Sequence, residues 1–444
     1  QGNSIQARKK QDHSELRGMP LKQIETSALA RNNYWLKALN EHIAYLRKNS
    51  WYYKDQLVWA GPEATGLDEL EDIQNFPFTE KDDIASRNED FLCVPMQDVR
   101  DIVTTSGTLG GSVAIYLTQK DLNRLGVNEA GSYILADCTK DDTFQLLTTI
   151  DKRFMAGLAY FLGANELGAR MVRSGPGALQ LQWESIQRFE PTVLVAVPSF
   201  IPRLIKYALD NGIDPNKSSV KKIICIGEAI RDENLKPNFL AERITSQWNV
   251  QLFSTYASTE MATAFTECEA GNGAHIQPEL MFAEVLDEDG NQVKNGESGE
   301  VVVTPLGVEG SPVLRFRTGD ICHYYDEPCS CGRNTPRLGP IVGRKQQMVK
   351  LKGTSLYPNA IIDELNAMSE VVNFVIELHS DDNGLDEVII KAMLRGENAV
   401  TSVLEKLSGK LRVKPRLILT GIEEINRLKF NENERKPKIL IDLR

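Results

Sequence analysis

The sequence predicts an α/β protein. A large N-terminal domain of mostly parallel sheet layers carries a β subdomain, and a small α+β C-terminal domain follows. Three observations lead there. From about Phe144, short β-branched or apolar runs alternate with helical segments, the pattern of a largely parallel sheet. Between Met281 and Tyr325, strands follow one another with only turns between them. From Gly343, strands and helices mix to the end of the sequence. At 444 residues the chain exceeds what one hydrophobic core supports, so two domains are expected, 1–345 and 346–444.

The first hundred residues read as helices and loops. Leu29, Tyr34, Leu36, Leu39, Ile43 and Leu46 recur at the spacing of an amphipathic helix. Strands are expected at Leu146–Ile150, Val193–Val197, Ile223–Ile226 and Val250–Phe253. Helices are expected at Gly157–Gly168, Ser199–Asn211 and Glu233–Trp248. Ligands of such sheets gather at the carboxyl ends of the strands. The β subdomain would use Phe282–Leu286, Gly299–Thr304, Val313–Phe316 and Asp320–Tyr325, with a hairpin at Asp289-Gly290. The last domain would use strands Gln347–Lys352, Val371–His379 and Asp386–Leu394, and helices Pro358–Met368 and Val400–Leu411.

Lysine and arginine number 51 and aspartate and glutamate 61, so the net charge is 51 − 61 = −10. That balance argues against a general nucleic-acid binder, which needs a basic face. The start, Gln1 to Leu16, lacks the apolar core of a signal peptide. The most apolar stretch, Thr192–Ile201, is interrupted by Pro198 and too short to span a bilayer. Seven cysteines are too sparse for a disulfide scaffold. A soluble cytoplasmic protein with no membrane partner is expected. Five histidines include no HExxH, which argues against a His-based hydrolase.

Three segments carry chemistry. Thr104-Thr105-Ser106-Gly107-Thr108-Leu109-Gly110-Gly111 lies between two short strands and can offer N–H groups and hydroxyls to a phosphate chain. It is not a Walker loop, and an ordinary turn has the same composition. Tyr256-Ala257-Ser258-Thr259-Glu260 sets an aromatic ring, hydroxyls and a carboxylate after a strand, suiting a purine, a phosphate and Mg2+. A loop leading into a capped helix reads similarly. Arg317-Thr318-Gly319-Asp320 ends in a carboxylate that could bind two ribose hydroxyls or close a β-turn.

In order and spacing the three segments resemble the adenylate-forming superfamily, and further matches resemble its phenylacetate–CoA ligase branch. These are Phe76-Pro77-Phe78-Thr79-Glu80-Lys81-Asp82-Asp83, Gly157 through Gly168, Gly227-Glu228-Ala229, Gly343-Arg344, and Lys352-Gly353-Thr354-Ser355-Leu356-Tyr357-Pro358. The resemblance implies the adenylate-forming ligase fold. It implies that Thr105, Ser106, Gly107, Thr108 and Gly110 hold the ATP phosphates, and that Gly227, Glu228 and Ala229 line the adenine with Tyr256 stacked on it. Glu260 would ligate Mg2+, Thr259 would lie near the α-phosphate, and Asp320 would bind the ribose with Arg344. Lys436, in Arg435-Lys436-Pro437-Lys438, would be the catalytic lysine, with Lys438 the fallback. Its charge can meet both the attacking carboxylate and the α-phosphate. Phe154, Met155 and Gly157 would line the acid pocket. Gly353, Tyr357 and Pro358 would belong to the coenzyme A and thiolation loop. Three departures stand out: Gly111 where the branch has lysine, Gln346 where an acidic residue marks the hinge, and Pro437 beside the lysine.

A second constellation is separate. Cys268 and His275, with the tight Cys329-Ser330-Cys331 turn, offer three thiols and one imidazole, a donor set for tetrahedral structural zinc. Reduced cysteines in a turn beside a surface histidine are the alternative. Cys93, Cys138, Cys225 and Cys322 sit in apolar contexts and read as core.

The resemblance therefore implies an ATP-dependent acid–CoA ligase for an aromatic carboxylate such as phenylacetate. Its partners are the acid, ATP and coenzyme A, and a homodimer is left open. The alternatives are an adenylate-forming enzyme that loads a carrier protein, and a weak nucleotide-binding homologue, motivated by Gly111 and Gln346.

Overall fold

The computed structural model describes residues 27–59, 66–105, 113–351, 354–380, 386–396, 399–411, 415–430 and 438–444. The first helix, Ala28–Asn49, starts at Ser27, whose hydroxyl accepts the Ala30 N–H at 3.3 Å. Its buried face is Trp35, Leu39, Ile43 and Leu46, at helical spacing. Leu29, expected on that face, is 73% exposed, because the first turn lies beyond the packing. Trp35 fixes the helix to the body by donating from Nε1 to the Pro278 carbonyl at 2.9 Å.

An antiparallel ribbon comes next, β1 (Val99–Thr104) and β2 (Ala114–Thr118). The main sheet has twelve strands among the described residues. Its parallel half contains β3 (Thr143–Leu146), β4 (Arg170–Arg173), β5 (Val193–Ala196), β6 (Lys222–Ile226) and β7 (Gln251–Ser258), in the order β4-β3-β5-β6-β7. All four residues of β5 are buried, as a central strand covered on both faces requires. Trp183, Leu204, Ile205, Ile244 and Trp248 pack over this part of the sheet.

The sheet does not stop at β7. It continues antiparallel through β8 (Thr263–Glu267), β9 (Ala274–His275), β10 (Met281–Leu286), β11 (Ser298–Pro305), β12 (Phe316–Tyr325), β13 (Arg337–Leu338) and β14 (Gly343–Arg344). The expected β subdomain is thus the antiparallel half of the same sheet, joined because β13 pairs with both β12 and β9. Three other expectations change. The strand expected at Leu146–Ile150 lies earlier, at Thr143–Leu146. Val313–Phe316 and Asp320–Tyr325 are not two strands: β12 runs unbroken from Phe316, and Val313 to Arg315 lie outside it. Arg315 takes a φ of 44°, which turns the chain, and its guanidinium binds buried Glu284 at 2.8 Å. The helix expected over Glu233–Trp248 is confined to Phe239–Thr245. Pro237 precedes it, and Asn238 caps it by accepting the Ala241 N–H at 3.0 Å.

The C-terminal region has its own sheet. A hairpin of β15 (Val349–Leu351) and β16 (Thr354–Leu356) precedes β17 (Val371–Ser380), β18 (Asp386–Leu394), β19 (Arg416–Leu419) and β20 (Leu440–Asp442). The last four pair in the order β19-β18-β17-β20, with helices Pro358–Ala367, Ala399–Leu411 and Ile422–Lys429. Ile361, Leu365, Phe374, Ile376, Val388, Ile390, Val403 and Leu407 form a core distinct from that of the large sheet. Among the described residues, no helix is long and apolar enough to cross a membrane.

Candidate nucleotide and acid site

Strands β5, β6 and β7 lie side by side and parallel, and β7 pairs with β8 of the antiparallel half. After β6 the chain turns at Gly227, whose φ of 73° is open to glycine at little cost. Glu228 is fixed in that turn. Its carboxylate accepts the Ser199 N–H at 2.9 Å and the Ser199 hydroxyl at 2.8 Å. The Ala229 carbonyl accepts from Asn238 Nδ2 at 2.9 Å. Gly227 and Ala229 are exposed, so the turn presents its backbone edge outward.

Tyr256, Asp320 and Arg344 come together from β7, β12 and β14. The tyrosine hydroxyl donates to Asp320 Oδ2 at 2.8 Å, and Arg344 Nε donates to Oδ1 at 3.2 Å. The register pairs Asp320 with Arg344, so the antiparallel ladder itself sets the contact. Burial pushes the Asp320 carboxyl above the usual range, against the pull of Arg344 and Tyr256; nearby Glu260 pushes it up further. The same burial raises the Tyr256 hydroxyl well above its ordinary value.

Glu260 is 8% exposed at its side chain and pairs with Lys81, 46% exposed, at 3.4 Å. Lys81 lies within the Phe76–Asp83 segment, and nothing local in the sequence predicts its partner. Glu80, beside Lys81, meets Arg317 at 3.4 Å; Arg317 also pairs with Glu300, which binds Lys345 at 3.1 Å. Thr259 lies in the turn after β7, half-buried.

Thr105 closes the β1–β2 ribbon. Its N–H donates to the Val113 carbonyl at 3.0 Å, and its hydroxyl accepts the Val113 N–H at 3.2 Å. The other expected phosphate-loop residues, Ser106, Gly107, Thr108 and Gly110, lie outside the described residues, as does Gly111. At the foot of this ribbon the Thr104 N–H donates to the Arg153 carbonyl at 3.1 Å. That bond brings the start of helix Met155–Leu167 beside it. Phe154 caps this helix half-buried, and Met155 and Gly157 are buried. A Cβ on Gly157 would stand 1.9 Å from the Thr149 carbonyl oxygen, so the glycine is required for close packing whatever lines the acid pocket.

In the C-terminal region Tyr357 precedes the helix that Pro358 begins. The Tyr357 ring packs so closely on Gly343 that a Cβ there would overlap it. Gly353 and Lys436 lie outside the described residues. The fallback Lys438 is described: its N–H donates to the Lys429 carbonyl at 2.8 Å. Lys429 donates from Nζ to Asn373 Oδ1 at 2.6 Å. Burial lowers its ammonium to about 8, while Glu228 pulls the other way, so this helix end lies within electrostatic reach of the β6 turn. Sequence reasoning passed over Lys429 because that proximity exists only across two sheets.

The cysteines and histidine converge as well. The ligand atoms of Cys268, His275, Cys329 and Cys331 all lie within 4.8 Å of one another. The Cys268 and Cys329 sulfurs are 3.6 Å apart, and Cys331 Sγ is 3.6 Å from His275 Nε2. His275 Nδ1 is bonded to Thr335 Oγ1 at 2.7 Å, which orients the ring and leaves Nε2 for the cluster. Burial pushes the Cys268 thiol up to about 12. Burial would also raise Cys331, but hydrogen bonds from His275 and the Arg333 backbone outweigh it and bring that thiol to about 5. The other four cysteines are buried and free.

Residues 54–308 match the AMP-binding enzyme family. The chain is 28% identical over 379 residues to a phenylacetate-coenzyme A ligase of Thermus thermophilus, covering 83% of each. It is 26% identical over 381 residues to that of Pseudomonas putida, covering 84% of each. Among solved structures it is similar to 2-hydroxyisobutyryl-CoA ligase in the postadenylation state, with TM-score 0.82, 22% identity, and 95% and 92% of the two chains covered. Against the same ligase in the thioesterification state the TM-score is 0.70, with 22% identity and 95% and 91% covered. The chain belongs to the AMP-binding enzyme family and is an adenylate-forming acid–thiol ligase.

Proposed function

We propose that the protein activates an aromatic carboxylic acid of the phenylacetate type as its adenylate and then transfers the acyl group to coenzyme A. The observation that carries this reading is the meeting of Tyr256, Asp320 and Arg344 from three strands, with Glu260 close by. The choice of acid and acceptor is supported by relatives named phenylacetate-coenzyme A ligases.

Asp320 is a buried carboxylate already accepting two hydrogen bonds, and its remaining lone pairs suit the two ribose hydroxyls. The Gly227–Ala229 edge serves the adenine. Glu260 would hold Mg2+: it is an oxygen ligand, and Lys81 is its one ion-pair partner among the described residues. Mg2+ would neutralise phosphate charge as the α–β bond breaks. The acid's carboxylate oxygen attacks the α-phosphorus, the bond to the bridging oxygen breaks, and pyrophosphate leaves. Lys436 offsets the charge that gathers on the phosphoryl oxygens. In the second step the coenzyme A sulfur attacks the acyl carbon, AMP leaves with the electron pair, and the thiol proton goes to solvent. The C-terminal domain, 346–444, turns about the segment near Gln346 between the steps, bringing Gly353, Tyr357 and Pro358 to the thiol. Cys268, His275, Cys329 and Cys331 would hold a structural zinc, since four protein ligands leave no place for water.

The test is carboxylate-dependent exchange of pyrophosphate into ATP over aromatic, aliphatic and hydroxy acids, followed by chromatography for acyl-CoA. Strongest exchange with an arylacetate, and its thioester as product, is expected. Exchange without thioester formation would move the acceptor to a carrier protein. No exchange with any acid would sink the ligase reading.

A further inference from the structure

Two residues beyond the Gly227–Ala229 turn stands Arg231. Its Nε donates to Glu267 Oε1 at 2.6 Å, and the two side chains are 17% and 3% exposed. The other oxygen of Glu267 accepts the Ser254 N–H at 3.2 Å. Ser254 lies on β7, two residues before Tyr256. Arg231 also donates from Nη1 to the Leu235 carbonyl at 3.2 Å, which holds the chain that leads away from the turn. Gly271, with φ of 64°, lies against the guanidinium; a Cβ there would stand 2.3 Å from Nη2. Glu267 ends β8, and the next residue is Cys268 of the thiol and imidazole cluster. One carboxylate therefore joins the turn after β6, the strand that carries Tyr256 and the chain that enters the cluster.

A buried ion pair is a poor device for stability alone. Apolar side chains of similar volume would fill the space as well. What the pair adds is direction: a fork of fixed shape sets where residue 231, and so the exposed turn just before it, stands relative to Tyr256. We propose that Arg231 and Glu267 are positioning residues for the nucleotide base, a strut that holds the Gly227–Ala229 edge at a fixed distance from Tyr256. The strut rests on the reading of that edge as the adenine contact. A base placed between a fixed edge and a fixed ring binds without the cost of ordering the turn.

Three proteins test this. The double variant Arg231→Met, Glu267→Met removes the pair while keeping apolar packing, Arg231→Lys keeps a charge without the fork, and Ala229→Trp obstructs the edge directly. AMP affinity is measured by calorimetry, and KM for ATP, GTP and the acid by pyrophosphate exchange. The double variant is expected to stay folded but melt somewhat below the parent, since the Ser254 N–H and the Leu235 carbonyl lose a partner, while AMP affinity falls about tenfold. KM for ATP should rise with it, preference for ATP over GTP should narrow, and KM for the acid should hold. Arg231→Lys is expected to fall between the two, and it decides the matter if the double variant does not fold. Unchanged AMP affinity and base preference in a folded pair variant, with Ala229→Trp weakened, overturns the strut alone. Unchanged AMP affinity in Ala229→Trp overturns the adenine assignment itself.

Discussion

Asp320 concentrates the residue-scale chemistry. It is buried, its carboxyl is pushed up by that burial, and Arg344 and the Tyr256 hydroxyl pull it back down. Asp320→Ala should weaken ATP and AMP alike, by about 1.5–3 kcal/mol as for a lost hydrogen bond to a charged group. Calorimetry with AMP checks it, and unchanged affinity would remove Asp320 from the ribose. Lys81 should behave differently. It pairs with Glu260, for which we propose the Mg2+ role, so Lys81→Ala should slow exchange while leaving AMP affinity intact. A third residue lies outside the reaction. Burial pushes the Glu129 carboxyl up to about 8, next to Tyr133 and Tyr160. The folded chain therefore holds a proton that the unfolded chain releases near its ordinary pKa of about 4.3. The stability this confers is complete below that pKa and is lost as pH rises through about 8. Glu129→Gln should flatten the decline in urea midpoint between mildly acidic and mildly alkaline buffer. Parallel declines in parent and variant would contradict the burial argument.

At the scale of elements, the helix Ile422–Lys429 matters most. Its last residue lies within electrostatic reach of Glu228, and the Lys429 carbonyl pins Lys438. The two described flanks of the Lys436 segment are thus tied to each other, and one of them lies near the turn after β6. Lys436→Ala should lower adenylation by orders of magnitude yet leave thiolation of supplied acyl adenylate largely intact. Lys429→Gln should produce a milder loss in the same half-reaction, because it weakens the docking of the segment rather than the charge at phosphorus. Rapid-quench measurement of each half-reaction separates them. Equal losses in both halves would show that the helix supports the fold and not one step.

For the whole molecule, the decisive joint is between the two halves of the large sheet. That joint runs through β9 and β13, strands of two residues each, too short to hold the halves firmly by backbone bonds. The cluster sits on this joint: Cys268 follows β8, His275 ends β9, and Cys329 and Cys331 lie between β12 and β13. One zinc per chain is expected by elemental analysis. Chelation should lower the melting temperature by several degrees, because the metal binds the native arrangement. Cys329→Ser should do the same without added chelator. A metal-free protein as stable as the parent would reduce the four residues to ordinary turn positions.

The sequence by itself determined the periodic parts. Strands β5 and β6 were legible because they are short apolar runs, whereas β3 begins before the expected Leu146–Ile150 and β4, with arginine at both ends, offers no apolar run. The first helix was legible from apolar residues recurring every three or four, though buried Trp35 was passed over. The segments around Tyr256, Glu260 and Asp320 stand out because each sets polar or aromatic groups together, and Cys268, His275, Cys329 and Cys331 stand out because a C-x-C turn with a further Cys and His is a rare donor set, which the fold does bring together. Tertiary structure decided how these parts meet. Only the pairing of β13 with β9 makes one sheet of two textures, since two-residue strands leave no periodic trace. Only the fold brings Lys81 to Glu260, Ser199 to Glu228 and Arg231 to Glu267, because ion pairs and hydrogen bonds between distant residues depend on spatial register that no local pattern records.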